Sequence, residues 1–231
     1  MNKIIVVGHQ PQYLPFIGIL NKISKSNIYI VVDHVQYVRK YFHNRTYLKV
    51  NNQAQLLTIP VQSKGNYLAP INEIKISNDE PWRKKHLKSI QIGYSKAPYF
   101  KAYYDEISAI YDSSHEYLSQ LTSELLLFFL KEFEVVDDIR FSSDMNITGQ
   151  KTELLIQLTQ AVGGTMYISG EGAKNYFDAE VFEQSGLQHI FNKFQHPEYP
   201  QQGKKFIPGM GCLDLLFNCG KDGRKYIIQD V

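Results

Sequence analysis

The chain predicts an α/β fold: a Rossmann-like parallel sheet with flanking helices, a β-hairpin region after the first βαβ unit, and a helical block in the middle. Three observations predict it. Two short runs near the start, "KIIVVG" (3–8) and "NIYIVVD" (27–33), are continuously apolar, as strands buried on both faces are. Between them, "FIGILNKISKS" carries apolar residues at 16, 17, 19, 20 and 23, which is helical spacing. Strand and helix patterns alternate again from "DIRFSSD" onward, as they do in α/β proteins. With 231 residues, 43% hydrophobic and 21% charged, the chain suits one α/β domain over 1–231. Residues 81–133 would be a helical insertion or subdomain, and a core of this size needs no disulfides.

Each element follows from local chemistry. Pro15 is well placed for the first turn of the first helix, so residues 1–33 read strand, loop, helix, strand, with a right-handed crossover. "NRTYLKVNNQAQLLTIPVQ" holds two extended runs around "NNQ", a hairpin pattern. "INEIKISN" (71–78) reads as a further short strand. Pro81 opens one helix and Pro98 separates it from the next. A third helix over 115–133 has its stripe at 118, 121, 125, 128 and 129. Helix 149–163 ends on Gly163–Gly164, "TMYISG" is a strand, and Asp178 and Gly186 cap a short helix. "LQHIFNKF" is a strand, followed by a Pro-rich loop to 208 and a last helix, "GMGCLDLLFNCG".

Composition excludes several classes. A net charge of +2 gives no field for nucleic acid or an anionic membrane. "MNKIIVVGHQ" lacks the long apolar core of a signal peptide, and no apolar stretch reaches the roughly 18 residues a membrane helix needs. Cys212 and Cys219, seven residues apart in a helix, lie about 10.5 Å apart along its axis, too far for a disulfide. Reduced thiols and a cytoplasmic protein are expected.

The chemistry concentrates in loops at strand ends, the edge where open α/β sheets bind ligands. "HQPQYLP" (9–15) follows the first strand and is stiffened by two prolines. His9 is the candidate acid/base, and Gln10 and Tyr13 are candidate substrate contacts; the helix start after Pro15 suits a phosphate. Asp33 ends the second strand and is the second catalytic candidate, to hold an amine or ribose. Gln36, Asn44 and Arg45 follow, with Arg45 suited to phosphate or carboxylate. His34 and His43 are weaker candidates. Ser169 and Gly170, in "YISGEGAKNY", offer backbone N–H groups to an anion. His196 and Tyr199 lie in a long loop of the kind that forms lids. Asp214 sits in an apolar helix and needs a partner, expected in the first-strand loop. No metal site is expected; a two-His, one-carboxylate set of His9, Asp33 and His196 is the alternative. The basic run "WRKKHLK" (82–88) reads as a solvated helix face.

In order along the chain, "HQPQYLPFIGILNKI", "VVDHVQY", "NRTYLK", "LTIPV", "YISGEGAKNY", "HPEY" and "FIPGMGCLDLLFNCG" together resemble the WbqC-like family. The strongest motif is H-Q-P-x-Y-L-P, matched by His9, Gln10, Pro11, Tyr13, Leu14 and Pro15. Two positions depart from the family pattern: Phe16 stands for a Trp and Gly211 for a Ser. The resemblance implies a role in O-antigen and other surface polysaccharide clusters, as a glycine transferase acylating an amino sugar. At fold level the chain also resembles adenylate-forming enzymes of the HIGH type, such as pantothenate synthetase. There "FIGI" (16–19) stands in place of H-x-G-H, and only Gly18 matches. That resemblance implies ATP with magnesium as the activating cosubstrate. The expected partners are a nucleotide sugar and a small carboxylic or amino acid, with an acyl-tRNA donor still open, no other nucleic acid and no membrane insertion. The competing readings are a non-catalytic nucleotide-sugar or glycan-binding protein and a metal-dependent enzyme of the same pathway.

Overall fold

Five parallel strands form the centre of the computed structural model, which describes residues 3–62, 65 and 68–229. In chain order the elements begin with β1 (Ile5–His9), α1 (Ile17–Ile23) and β2 (Ile28–Val31), followed by the strands β3 (Arg45–Val50) and β4 (Gln53–Thr58). The helices α2 (Trp82–Tyr94), α3 (Phe100–Asp112) and α4 (Leu118–Glu132) lead to β5 (Asp138–Phe141). Then come α5 (Lys151–Ala161), β6 (Met166–Ser169), α6 (Ala179–Gln184), β7 (Gln188–Phe191), α7 (Cys212–Cys219) and the short α8 (Arg224–Ile227).

The sheet order is β5-β2-β1-β6-β7, all parallel. The chain winds outward from β1 through β2 to β5, then crosses to β6 and winds the other way to β7. The reversal lies between β1 and β6, and a crevice opens there at the strands' carboxyl ends. Alternating side chains sort the two faces. Val6, Ile28, Ile30 and Val32 pack with Leu155 and Leu158 of α5 and Phe182 of α6. Val7, Tyr29 and Val31 join a larger cluster with α1, α4 and α7, through Ile17, Leu20, Leu125, Phe129 and Leu213. The helical block thus packs into the same apolar cluster as β1.

β3 and β4 pair antiparallel from Arg45↔Thr58 to Val50↔Gln53. Asn51 and Asn52 make the turn, both with positive φ, 51° and 60°, as a two-residue hairpin turn of the primed type requires. Asp178 caps α6 by accepting from the Val181 N–H at 3.2 Å, and Gly186 follows at φ 76°. The strand expected over 71–78 is not formed. Ile71–Glu73 is a 3-10 turn, and the segment makes only single bridges, Val61↔Ile76 and Lys75↔Tyr117. α8 gave no sequence signal, being a single turn after Gly223.

Candidate functional site

The β1 loop is pinned by its apolar members, and this leaves its polar members free to face the crevice. Tyr13 drops into the core, where its hydroxyl meets His86 Nδ1 at 2.8 Å and the Tyr111 hydroxyl. Leu14 is buried in the left-handed region, φ 46°, and its carbonyl accepts from Thr46 Oγ1 at 2.9 Å. The Pro15 carbonyl accepts from the Cys212 N–H at 2.7 Å. His9, Gln10 and Gln12 remain along the wall of a cleft of about 1050 Å³ between the ends of β1 and β6. Arg45, Ser169, Gly170, Phe194 and Met210 line it too. Tyr41, Phe42, Tyr47 and Tyr176 add an aromatic rim, a surface suited to a flat ring or the apolar face of a sugar.

At the cleft floor lies a residue that sequence reasoning missed. Lys22, on α1, is 4% exposed. Its Nζ donates to the Gly8 carbonyl at 3.1 Å and lies 3.0 Å from His9 Nδ1. Among the described residues no carboxylate is its partner. Burial alone lowers its pKa to about 7, because a cation without water or a counter-charge is costly. His9 is held well below the usual histidine value, first by burial, then by Lys22 and His43. His43 is lowered to about 4 by burial. Its Nδ1 accepts from the Val38 N–H at 3.3 Å, so its Nε2–H donates to Gln10 Oε1 at 2.8 Å. The one available signal for Lys22 was its place between Leu20 and Ile23, inside the apolar stripe of α1.

Glycines keep the space open. A Cβ on Gly170 would stand 4.0 Å from Lys22 Nζ with no closer neighbour. A Cβ on Gly18 would come within 2.3 Å of the Phe16 ring and 2.8 Å of Phe194, so Gly18 permits the edge-to-face pair those two rings form at 6.1 Å. At position 211 a Cβ would meet Thr46 Oγ1 at 2.7 Å and the Leu14 carbonyl at 2.8 Å. In this chain the Thr46 hydroxyl occupies the ground where a serine at 211 would reach.

The structure brings together His9, Gln10, Tyr13, Arg45, Ser169 and Gly170 around the cleft, and separates the other candidates from them. Arg45 keeps a buried Nε with no hydrogen-bond partner. Ser169 Oγ meets His189 Nε2 at 2.9 Å. The Asp33 carboxylate is taken up by Ser142 Oγ (3.0 Å), Ser143 N–H (2.9 Å) and Ser143 Oγ (2.8 Å). Asp33 therefore ties the end of β2 to the turn after β5 and does not line the cleft, which corrects its expected role with an amine or ribose. Tyr13 contributes to the cleft wall while its hydroxyl serves the core. Asn44 is buried, with its Nδ2 donating to the Ile59 carbonyl at 2.7 Å. Gln36 lies exposed beside a bridge to Pro70. His196 braces its own loop, through Nδ1 to the Pro197 carbonyl (2.9 Å) and from the Gly209 N–H to Nε2 (3.1 Å).

Asp214 finds its partners away from the β1 loop. Its carboxylate accepts from Tyr94, Tyr199 and Gln201 Nε2, each at 2.8 Å. Lys49, 2% exposed, donates to Gln201 Oε1 at 3.2 Å and to the Lys205 carbonyl. Tyr199 is thus part of a buried network behind the 192–211 loop. His9, Asp33 and His196 are not gathered, and among the described residues no three His, Cys, Asp or Glu side chains are placed to hold a metal. Cys212 and Cys219 are free thiols, both buried. None of the basic run 82–88 lines the cleft. No helix among the described residues is long and apolar enough to cross a membrane.

Comparison with known proteins agrees with the motif pattern. The model of the WbqC-like protein family matches residues 10–226. A Mycobacterium tuberculosis protein named uncharacterized protein Rv1507c is 31% identical over 229 residues, covering 98% of each chain. No solved structure gives a significant match.

Proposed function

Because the chain belongs to the WbqC-like protein family, we propose that it forms an amide on the amino group of a nucleotide-activated amino sugar. It would act as a transferase or ligase in surface polysaccharide (O-antigen) biosynthesis, with glycine or another small acid as donor. The observation that carries this reading is the cleft at the sheet's switch point. It combines a rigid polar loop, a buried amine with no carboxylate partner among the described residues (Lys22) and an arginine with a free Nε. Amide formation needs the acceptor as a free amine, the donor carboxylate activated, and both held together in a water-poor site. Neutral His9 and Lys22 suit the proton transfers. Arg45 suits the phosphates of ATP, held with magnesium, or those of the nucleotide sugar. The aromatic rim suits the nucleoside base or the sugar.

The test is direct. Purified protein with ATP, magnesium, glycine and an amino-dideoxy-sugar nucleotide should yield a product heavier by one glycyl unit, read by mass spectrometry. Thioester and aminoacyl-tRNA donors form the second arm. Saturable binding of the nucleotide sugar with no product from any donor would favour a sugar-binding protein instead.

A further inference from the structure

The contacts of His9 couple the position of its proton to the orientation of Gln12. Gln12 Nε2 lies 3.2 Å from ring Nε2. In this orientation the amide NH2 donates, ring Nε2 accepts and the ring proton is on Nδ1. Nδ1–H then faces Lys22 Nζ at 3.0 Å, and an amine accepts a hydrogen bond only when it is neutral. The neutral amine keeps an N–H for the Gly8 carbonyl at 3.1 Å. A charged Lys22 requires the reverse: a bare Nδ1, a protonated Nε2, and Gln12 turned to present its oxygen. The two ends of a glutamine amide are nearly the same size, so both arrangements fit one space. The charge of Lys22, the tautomer of His9 and the orientation of Gln12 therefore change together.

We propose that Lys22 is the terminal proton acceptor of the cleft, acting through His9. A proton from the acceptor's ammonium group enters His9 at Nε2 in place of the Gln12 N–H, and the Nδ1 proton passes to Lys22 Nζ. This rests on the amide-forming reading and names its acceptor class, a primary ammonium. R–NH3+ becomes R–NH2, and Lys22 becomes –NH3+. The amine nitrogen bonds to the activated acyl carbon, and the bond from that carbon to its leaving group breaks with its electron pair. The N–H proton shed on amide formation leaves with that group. Lys22 then returns its proton to His9 Nδ1, and the Nε2 proton passes to water entering the cleft, which restores the starting tautomer.

The arrangement answers a chemical difficulty. His9 touches the cleft, yet burial and its neighbours leave it too weak a base to hold a proton at neutral pH. Lys22 lies deeper and can hold one near pH 7. Among the described residues, the other charged or titratable groups lining the same cleft are Tyr13 from the β1 loop, Arg45 from β3, Tyr41 and Tyr47 at the rim, Tyr167 and Tyr176 from β6 and its following turn, and Glu171, with His43 behind the wall acting on His9. Glu171 is already paired with Lys174 at 2.5 Å, so it does not supply Lys22 with a counter-charge.

Lys22→Arg keeps a cation of similar reach but cannot take the proton, and Lys22→Met removes the group. Both should lose turnover by on the order of 100-fold or more, with acceptor KM changed only a few-fold. The rise in kcat through about pH 7 in the parent should vanish in both. Propylamine added to Lys22→Ala should restore part of the rate. A Lys22→Arg enzyme with the parent's rate and pH profile overturns the relay and leaves Lys22 a simple anion holder. If the parent makes no product from any donor, the amide-forming reading falls, and Lys22 is read on the protein itself. Labelling with limiting acetic anhydride across pH, mapped by peptide mass, should then show Lys22 reacting with a midpoint near neutrality. A midpoint matching the exposed lysines overturns the neutral amine and the relay with it.

Discussion

Lys22 and Lys49 are buried to nearly the same degree, 4% and 2% exposed, yet they stand in opposite company. Lys49 faces Gln201 and the Lys205 carbonyl, with the Asp214 carboxylate close enough to offset part of the burial that lowers its pKa. Around it, Tyr94, Tyr199 and Gln201 occupy the carboxylate, and every member has a fixed partner. Among the described residues Lys22 has a carbonyl and an imidazole, no acid, and a cleft beside it. A network that holds a fold closes on itself, because a half-satisfied buried group is costly. A network that serves a ligand leaves one valence open and bears that cost until the ligand arrives. Burial alone does not distinguish a structural lysine from a functional one; the list of partners does.

The largest effect should come from breaking the closed network. Asp214→Ala removes one acceptor from three buried donors and from the neighbouring Lys49 charge. A loss of about 3–5 kcal/mol is expected, read by urea unfolding, with faster proteolysis in the 192–211 loop. Lys22→Met should move stability the other way. Removing a buried cation that has no counter-charge relieves its desolvation, so a gain of at most a few kcal/mol is expected, since each pKa unit is worth about 1.4 kcal/mol. The pH dependence fixes the cause. With a folded pKa near 7 against about 10.5 unfolded, the unfolded chain binds more protons between those values, so the parent gains stability as pH rises through that window. The advantage of Lys22→Met should therefore be full below about pH 7 and gone above about pH 10.5. Equal stabilities of parent and variant at pH 6 would show that Lys22 carries no such strain. Lys49→Met then sharpens the contrast. The same substitution at equal burial should cost about 1–3 kcal/mol, because it strips partners from Gln201 and the Lys205 carbonyl. A gain there would erase the distinction between the two lysines.

The sheet was legible because parallel strands are buried on both faces, so "KIIVVG" and "NIYIVVD" carry the signal locally. The hairpin was legible because Asn-Asn tolerates two positive φ values. His9, Gln10 and Ser169 were legible as polar residues at a strand's carboxyl end, Gly170 as the small residue that follows one, and Arg45 as a cation shortly after β2. Asp33 was misread for a topological reason: an acid at the end of β2 serves whichever neighbouring turn offers donors, and Ser142 and Ser143 come from the turn after β5. Asp214 was read correctly as a buried acid in need of a partner, but Tyr94 lies 120 residues away, a separation that no local pattern spans. Lys22 was passed over because a lysine in a short helix normally reaches water. Only the packing of α1 across the ends of β1 and β6 denies it that.

The smallest effect tests whether position near the end of α1, rather than the Lys22–His9 contact, sets the behaviour. Lys25 lies two residues past the end of α1 and donates to Asn192 Oδ1 at 2.8 Å. Burial lowers its pKa too, but it has a side-chain partner and does not line the cleft. Lys25→Met should cost about 0.5–1.5 kcal/mol, the worth of one hydrogen bond, in place of the gain predicted three residues earlier. Thermal unfolding of the two variants side by side at pH 6 gives the comparison. Opposite signs would mean that two lysines three residues apart, one in the last turn of α1 and one just past its end, differ in what they meet: a histidine and an open cleft, or an asparagine that completes a bond. The same sign at both positions would place the cause in this stretch of chain and not in the Lys22–His9 contact.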